Sequence, residues 1–198
     1  MDTDDTLAVG LATDLDGSFE ALVLAHQDRL YSIALRVLGN PADAEEAAQD
    51  AFVRAYRALT GYDPGRIREV RLRPWLATIV LNVCRSHLTR RTAFRSTLSL
   101  DVALPLDAQP RTPAALTPAA IADRRAGQES WADLLMDLPP AQRIAVVLRH
   151  VDGLSYPEVA IALGKPEGTV KAQVHRGLVQ LRAAYEASRR LHPEEMTA

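Results

Sequence analysis

With 198 residues, 47% of them hydrophobic, the chain can build one or two small domains with modest cores. Its formal net charge of -2 argues against a general polyanion binder, and its single cysteine, Cys84, excludes an internal disulfide. The acidic N-terminus lacks the basic stretch and apolar core of a signal peptide, and the longest apolar run, near Trp75 to Cys84, is too short to span a bilayer. A cytoplasmic protein without membrane insertion fits these features.

The near-even balance hides a gradient. Asp2, Asp4, Asp5, Asp14, Asp16, Glu45, Glu46 and Asp50 crowd the beginning, whereas segments 66–95 and 143–190 are rich in arginine. Such asymmetry points to a nucleic-acid partner for the basic parts. Residues 1–17 read as a disordered acidic leader. Ser18 is placed to cap a helix running to about Leu38, with Phe19, Leu22, Leu30, Ile33, Ala34 and Val37 as its apolar stripe and Gly39 as its stop. Asn40-Pro41 is a cap followed by a first-turn proline, and opens a helix to about Leu59. One face of that helix is Ala44, Ala47, Ala48, Ala51, Phe52, Ala55 and Leu59; the alanines let a neighbouring helix come close. The other face carries Glu45, Glu46, Gln49, Asp50, Val53 and Arg57.

Tyr62 to Arg73 reads as a loop or a broken short helix, and holds Arg66, Arg68, Arg71 and Arg73. Pro74 opens a third long helix to about Arg91, with Trp75, Leu76, Ile79, Val80 and Val83 on its buried side. Thr78, Asn82, Arg85 and Thr89 lie roughly opposite, and Arg90 and Arg91 close the end. Residues 93–122 hold Pro105, Pro110, Pro113 and Pro118 without a sustained period, the composition of a flexible linker. A second helical block, 123–188, begins near Asp123; Trp131, Leu134, Leu135 and Leu138 mark its first helix, Pro139-Pro140 breaks it, and Ile144, Val147, Leu148 and Val151 mark the next. Residues 189–198 form a frayed tail.

The stretch from Leu154 to Arg182 organises the rest. Ser155 and Glu158 have the spacing of a capping box, so a helix starts at Tyr156, and Gly164 ends it. Pro166 starts the next helix, in which Val170, Val174, Leu178 and Leu181 make a buried stripe. Its opposite face carries Thr169, Ala172, Arg176 and Gln180, with Gln173 at the edge and Lys171 and His175 on the flanks. A polar, cationic face with small residues early in the helix suits a DNA major groove. Spacing alone also admits a solvated helix hairpin in an all-helical domain.

The two blocks together resemble a bacterial group IV, or extracytoplasmic function (ECF), sigma factor of the sigma-70 family. DAEEAAQDAFVRAYRAL and PWLATIVLNVCRSHLTRR are similar to sigma region 2; LMDLPPAQRIAVVLRHVDGLSYPEVAIALGKPEGTVKAQVHRGLVQLR is similar to region 4. The match covers roughly residues 18–92 and 126–185, in the family's order. It implies an all-α chain of two small helical domains, 18–92 and 123–188, joined by the flexible linker 93–122.

The resemblance also implies partners. Region 2 docks on the clamp coiled coil of the largest subunit of core RNA polymerase, and the matching positions here are Asp43, Glu46, Gln49, Asp50, Arg54 and Arg57. Region 4 meets the flap of the second-largest subunit. The −10 promoter element falls to the Tyr62–Arg73 segment, with Arg66, Arg68, Arg71 and Arg73, and to the helix carrying Asn82, Arg85, Arg90 and Arg91. In the family a base is flipped into a pocket at this segment; an amide such as Asn82 both donates and accepts, and the arginines neutralise phosphates. Trp75 is placed to stack on a base, but its position on the apolar stripe favours core packing. The −35 element falls to Lys171, Gln173 and Arg176, with Ala172 for a thymine methyl, Thr169 on a phosphate and Lys165 at the helix start. Family members often carry Ser-Arg where this chain has Ala172-Gln173, so its −35 sequence is its own. By the same resemblance, the linker is expected to thread toward the RNA exit path, with a passive tether the more economical reading of its role, and the protein is expected to be held inactive by an anti-sigma factor and to be a monomer when free.

No enzyme reading competes, because the sequence has neither a phosphate-binding loop nor a nucleophile–base constellation. His26, His87, His150, His175 and His192 lack ligand spacing, so neither metal nor cofactor is expected. The rival reading is a stand-alone dimeric helix-turn-helix regulator, which requires a palindromic site.

Overall fold

The computed structural model describes residues 3–98 and 131–191, and every regular element among the described residues is helical. Most of the Pro-rich segment 93–122, the onset of the second block at Asp123 and the end of the tail lie outside the described residues.

The acidic leader is a helix. Thr3–Thr13 (α1) buries Ala8, Leu11 and Ala12 against α2, Leu15–Leu38, and α4, Pro64–Glu69. An eleven-residue helix is marginal by itself, so its order comes from this docking. The α2 cap is Asp14 rather than Ser18: its carboxylate accepts the Gly17 N–H at 3.0 Å, and the Ser18 N–H already bonds the Asp14 carbonyl. Gly39 ends α2 at φ 71. Asn40 caps α3, Pro41–Thr60, by accepting the Asp43 N–H at 3.0 Å. The seven apolar residues expected on the inner face of α3 are all buried between α2 and α5, Leu72–Leu98.

In the second half, α6 spans Trp131–Met136, and α7, Pro140–Val146, runs on into a π-helical turn over Val147–Val151. The turn closes with the Asp152 N–H on the Val147 carbonyl at 2.9 Å. The helix-turn-helix follows as α8, Tyr156–Leu163, and α9, Glu167–Leu191. Both halves of the Ser155–Glu158 capping box form, and Gly164 takes the left-handed conformation at φ 61. The Ser155 hydroxyl, bonded to Glu158 Oε2 at 2.6 Å, holds the carboxyl of Glu158 below its usual range.

The buried stripe of α9 differs from expectation at one position. Val170, Val174 and Leu181 are buried, but Leu178 is 40% exposed, and Gln173 and Gly177 are buried in its stead. The reason is the close approach of α7: a β-carbon on Gly177 would lie 2.7 Å from Val146 Cγ2. Gly177→Ala should therefore destabilise the protein. Alanine gains about 1 kcal/mol of helix propensity, but overpacking costs about 1–3 kcal/mol. A lowered midpoint in denaturant with an unchanged slope is the expected result.

The two halves are packed on one another. Ile144, Leu148, Leu154 and Val159 belong to the same buried cluster as Leu22, Ala51 and Leu76. A smaller cluster of Leu134, Leu135, Leu138, Val146, Val147 and Leu181 lies within the second half.

Candidate nucleic-acid interface

The arginine segment forms a corner around α4. Asp63 caps that helix by accepting the Arg66 N–H at 3.1 Å, so the chain turns sharply between α3 and α5. Tyr62, Arg66, Val70, Trp75 and Ile79 line an open cavity of about 460 Å³ at this corner. The Tyr62 and Trp75 rings lie 6.5 Å apart and tilted, and the Arg66 guanidinium sits 3.9 Å from the Tyr62 ring centre. Trp75, assigned to the core by its stripe position, does pack against the main buried cluster, but it is only partly buried and also lines the cavity. The site presents aromatic surface with cations at its edge, the chemistry that holds an unstacked base.

The other basic residues divide. Arg66 and Arg68 are exposed, as are Asn82, Arg85 and Arg90 on α5; the Arg91 side chain lies outside the described residues. Asn82 Oδ1 accepts from Arg85 at 2.9 Å. Arg71 and Arg73 turn instead toward the second half: Arg71 pairs with Glu158 at 2.7 Å, and Arg73 donates to the Asp152 carbonyl at 2.8 Å. Cys84 is fully buried, and burial pushes its thiol up to about 12, so it stays protonated and inert.

On α9, Thr169, Ala172, Arg176 and Gln180 are exposed at the spacing of one helix face. Lys171 lies beside this face, paired to Glu167 at 2.6 Å. Lys165 is half-buried and shares a cleft with Arg85. Gln173 does not belong with them. Only 8% of it is exposed, and its Oε1 has no hydrogen-bond partner among the described residues. The i, i+3, i+4 geometry that buries Val170 and Val174 carries Gln173 inward too, which removes it from the base-reading set.

The outer face of α3 is open. Asp43 and Asp50 are partly exposed; Glu46, Gln49, Arg54 and Arg57 are exposed, with Val53 at 47% among them. Asp50 pairs with Arg54 at 2.9 Å, and Gln49 donates to Glu45 at 3.4 Å. A mixed-charge surface around one exposed apolar residue suits a specific protein contact.

Comparison with known proteins decides the family. The model of sigma-70 region 2 matches residues 22–94, and that of sigma-70 region 4 matches residues 128–181. The RNA polymerase sigma-E factor of Streptomyces avermitilis is 34% identical over 173 residues, covering 85% of this chain and 86% of the relative. The chain belongs to the ECF sigma factors of the sigma-70 family. It is also 40% identical over 167 residues to the ECF RNA polymerase sigma factor SigE of Mycolicibacterium smegmatis, covering 83% of this chain and 60% of that longer relative. Among solved structures, CnrH in complex with the cytosolic domain of CnrY superposes with a TM-score of 0.64 at 27% identity, covering 94% of this chain and 99% of the other. In sigma-factor terms the corner with Tyr62 and Trp75 lies in region 2, and α8 and α9 are the helix-turn-helix of region 4.

Sequence reasoning passed over three contributors. Tyr62 lay at the edge of the arginine segment but was not singled out. Arg29 and Asp152 form a two-point ion pair, one oxygen taking Arg29 Nε and the other Nη2, across the two halves. No local pattern marks either residue. The α1 helix did have a signal, the Leu7, Ala8, Leu11 and Ala12 spacing, masked by its acidic context. Among the described residues there is no cluster suited to a metal ion, and no helix long and apolar enough to cross a membrane.

Proposed function

We propose that this ECF sigma factor binds core RNA polymerase and directs it to promoters carrying its own −10 and −35 elements. The observation that carries this reading is the pairing, in one chain and in family order, of an aromatic-lined cavity in region 2 with an exposed polar face on the region 4 recognition helix. One surface takes an unstacked base of an opened strand, and the other reads duplex in a major groove. A promoter being melted offers both. The polymerase makes the bonds, and the sigma factor makes none.

The division of labour follows from the surfaces. The outer face of α3 docks on the clamp coiled coil, through Asp43, Glu46, Gln49, Asp50, Arg54 and Arg57. Tyr62 and Trp75 hold the flipped base of the −10 element, while Arg66, Arg68, Arg71, Arg73, Asn82, Arg85 and Arg90 meet its strands. Thr169, Lys171, Ala172 and Arg176 read the −35 element with Lys165 at its edge, and region 4 rests on the polymerase flap. An anti-sigma factor controls the protein in this reading. Its support is the similarity to CnrH, which was solved with the cytosolic domain of CnrY.

Run-off transcription tests the proposal. Purified bacterial core polymerase is assayed on host genomic fragments with and without this protein. New, defined start sites that appear only with the protein are expected. No new starts, together with a dimer that binds DNA unaided, would favour a stand-alone regulator.

A further inference from the structure

The cavity in region 2 has two walls that are held in different ways. Trp75, Thr78 and Ile79 form one of them, on α5, and that helix is packed along α2 and α3 with Leu76, Val80, Leu81 and Val83 fully buried. Tyr62, Arg66 and Val70 form the other, on and beside α4. This second wall has little of its own to hold it. The α4 helix is six residues long, five of them are exposed, and Ile67, 4% exposed, is its one buried side chain. A helix so short does not persist without a neighbour.

The neighbour is α1. Among the described residues no other helix packs on α4 to a comparable extent, and α1 also reaches α5, so it spans both walls. Ala8 and Ala12, buried and one turn apart, keep the inner face of α1 low enough for close approach. Leu11, 1% exposed, is the large side chain that α1 buries, and it belongs to the same cluster as Ile67 and Leu76. Both ends of α1 are held at α2. Asp4 stands 3.4 Å from Nε2 of His26. At the other end the Asp14 N–H donates to the Gly10 carbonyl at 2.9 Å, while the Asp14 carboxylate caps α2. The leader helix is thus anchored on the helix that also supports α5, and from there it bears on α4.

We propose that α1 is the buttress of the −10 cavity: it sets the gap between Tyr62 and Trp75, and Leu11 and Ile67 are the positioning residues that transmit its support. The inference rests on the sigma-factor reading of that cavity. Stacking on an unpaired base depends on where the rings stand, so a wall free to drift loses affinity although no contacting residue has changed. The outer face of α3 and the exposed face of α9 lie on other helices, which makes the loss specific to the −10 element.

The test uses the full-length chain. Leu11→Ala leaves a space beneath α1, and Leu11→Met refills it. Ile67→Val trims the α4 side by a single methylene, which keeps the protein folded should Leu11→Ala prove too severe. In a Trp131→Phe background Trp75 is the only tryptophan and reports on the cavity in the free protein. Assembled with core polymerase, each variant is then titrated with a fluorescent single-stranded oligonucleotide carrying the −10 element found by run-off transcription. Leu11→Ala should shift the Trp75 emission to longer wavelength and weaken oligonucleotide binding about tenfold. Ile67→Val should do both to a lesser degree, and Leu11→Met should restore both, with affinity for core polymerase unchanged throughout. Unchanged emission and binding in both trimmed variants would overturn the buttress. An equal loss of core affinity would overturn it too, by making Leu11 a general stabiliser of region 2. A shifted emission with unchanged oligonucleotide binding would overturn the −10 reading of the cavity while the buttress stood.

Discussion

Asp50→Arg is expected to lower the affinity for core polymerase about a hundredfold without unfolding the protein. Asp50 lies mid-way along the outer face of α3 and pairs with Arg54, a turn away on the same exposed surface. An exposed i, i+4 pair contributes only about 0.3–0.5 kcal/mol, so losing it barely changes stability. The interface feels the change far more. Reversal places arginines at positions 50, 54 and 57 in a row, where a complementary partner expects mixed charge. Like charges brought together across an interface cost several kcal/mol, and about 2.8 kcal/mol is a hundredfold. A pull-down or fluorescence titration against core polymerase measures the loss, and thermal melting checks the fold. Unchanged affinity would refute α3 as the docking surface.

Arg176→Ala is expected to reduce −35-dependent transcription about ten- to a hundredfold while leaving polymerase binding intact. Arg176 is exposed on the face shared with Thr169 and Ala172, one turn beyond the latter. A guanidinium reads guanine through two parallel hydrogen bonds, worth about 1–3 kcal/mol of discrimination. The residue is exposed and belongs to neither buried cluster, so truncation costs the fold little. Comparing promoters with and without the −35 element, at saturating core polymerase, isolates the effect. Equal loss on both templates would move Arg176 from base reading to assembly.

These two residues were legible in the sequence because their faces are set by helical periodicity, which acts over a few residues. The same holds for the Asn40 cap of α3, the capping box of Ser155 and Glu158, and the left-handed Gly164. The alanine face of α3 predicted its own burial for the same reason. Gln173 and Leu178 escaped because they stand at the border of the stripe, where the angle alone does not choose. The neighbour α7 chose, by pressing against Gly177 and leaving room on one side for no side chain at all.

By itself, then, the sequence determined the long helices from α2 onward, most of their caps and inward faces, the two-block order and the family. Each rests on interactions between residues three or four apart or on a motif within one segment. Tertiary structure decided that the acidic leader folds as α1, that Trp75 lines a cavity as well as packing on the core, and that region 4 packs on region 2. Those outcomes turn on pairs remote in the chain, of which Arg29 and Asp152 stand 123 positions apart. Such a pair leaves no local pattern, because neither residue changes the helix it sits in. It is worth something only when both are withdrawn from water and aligned, a condition that the packed fold creates and a linear chain does not.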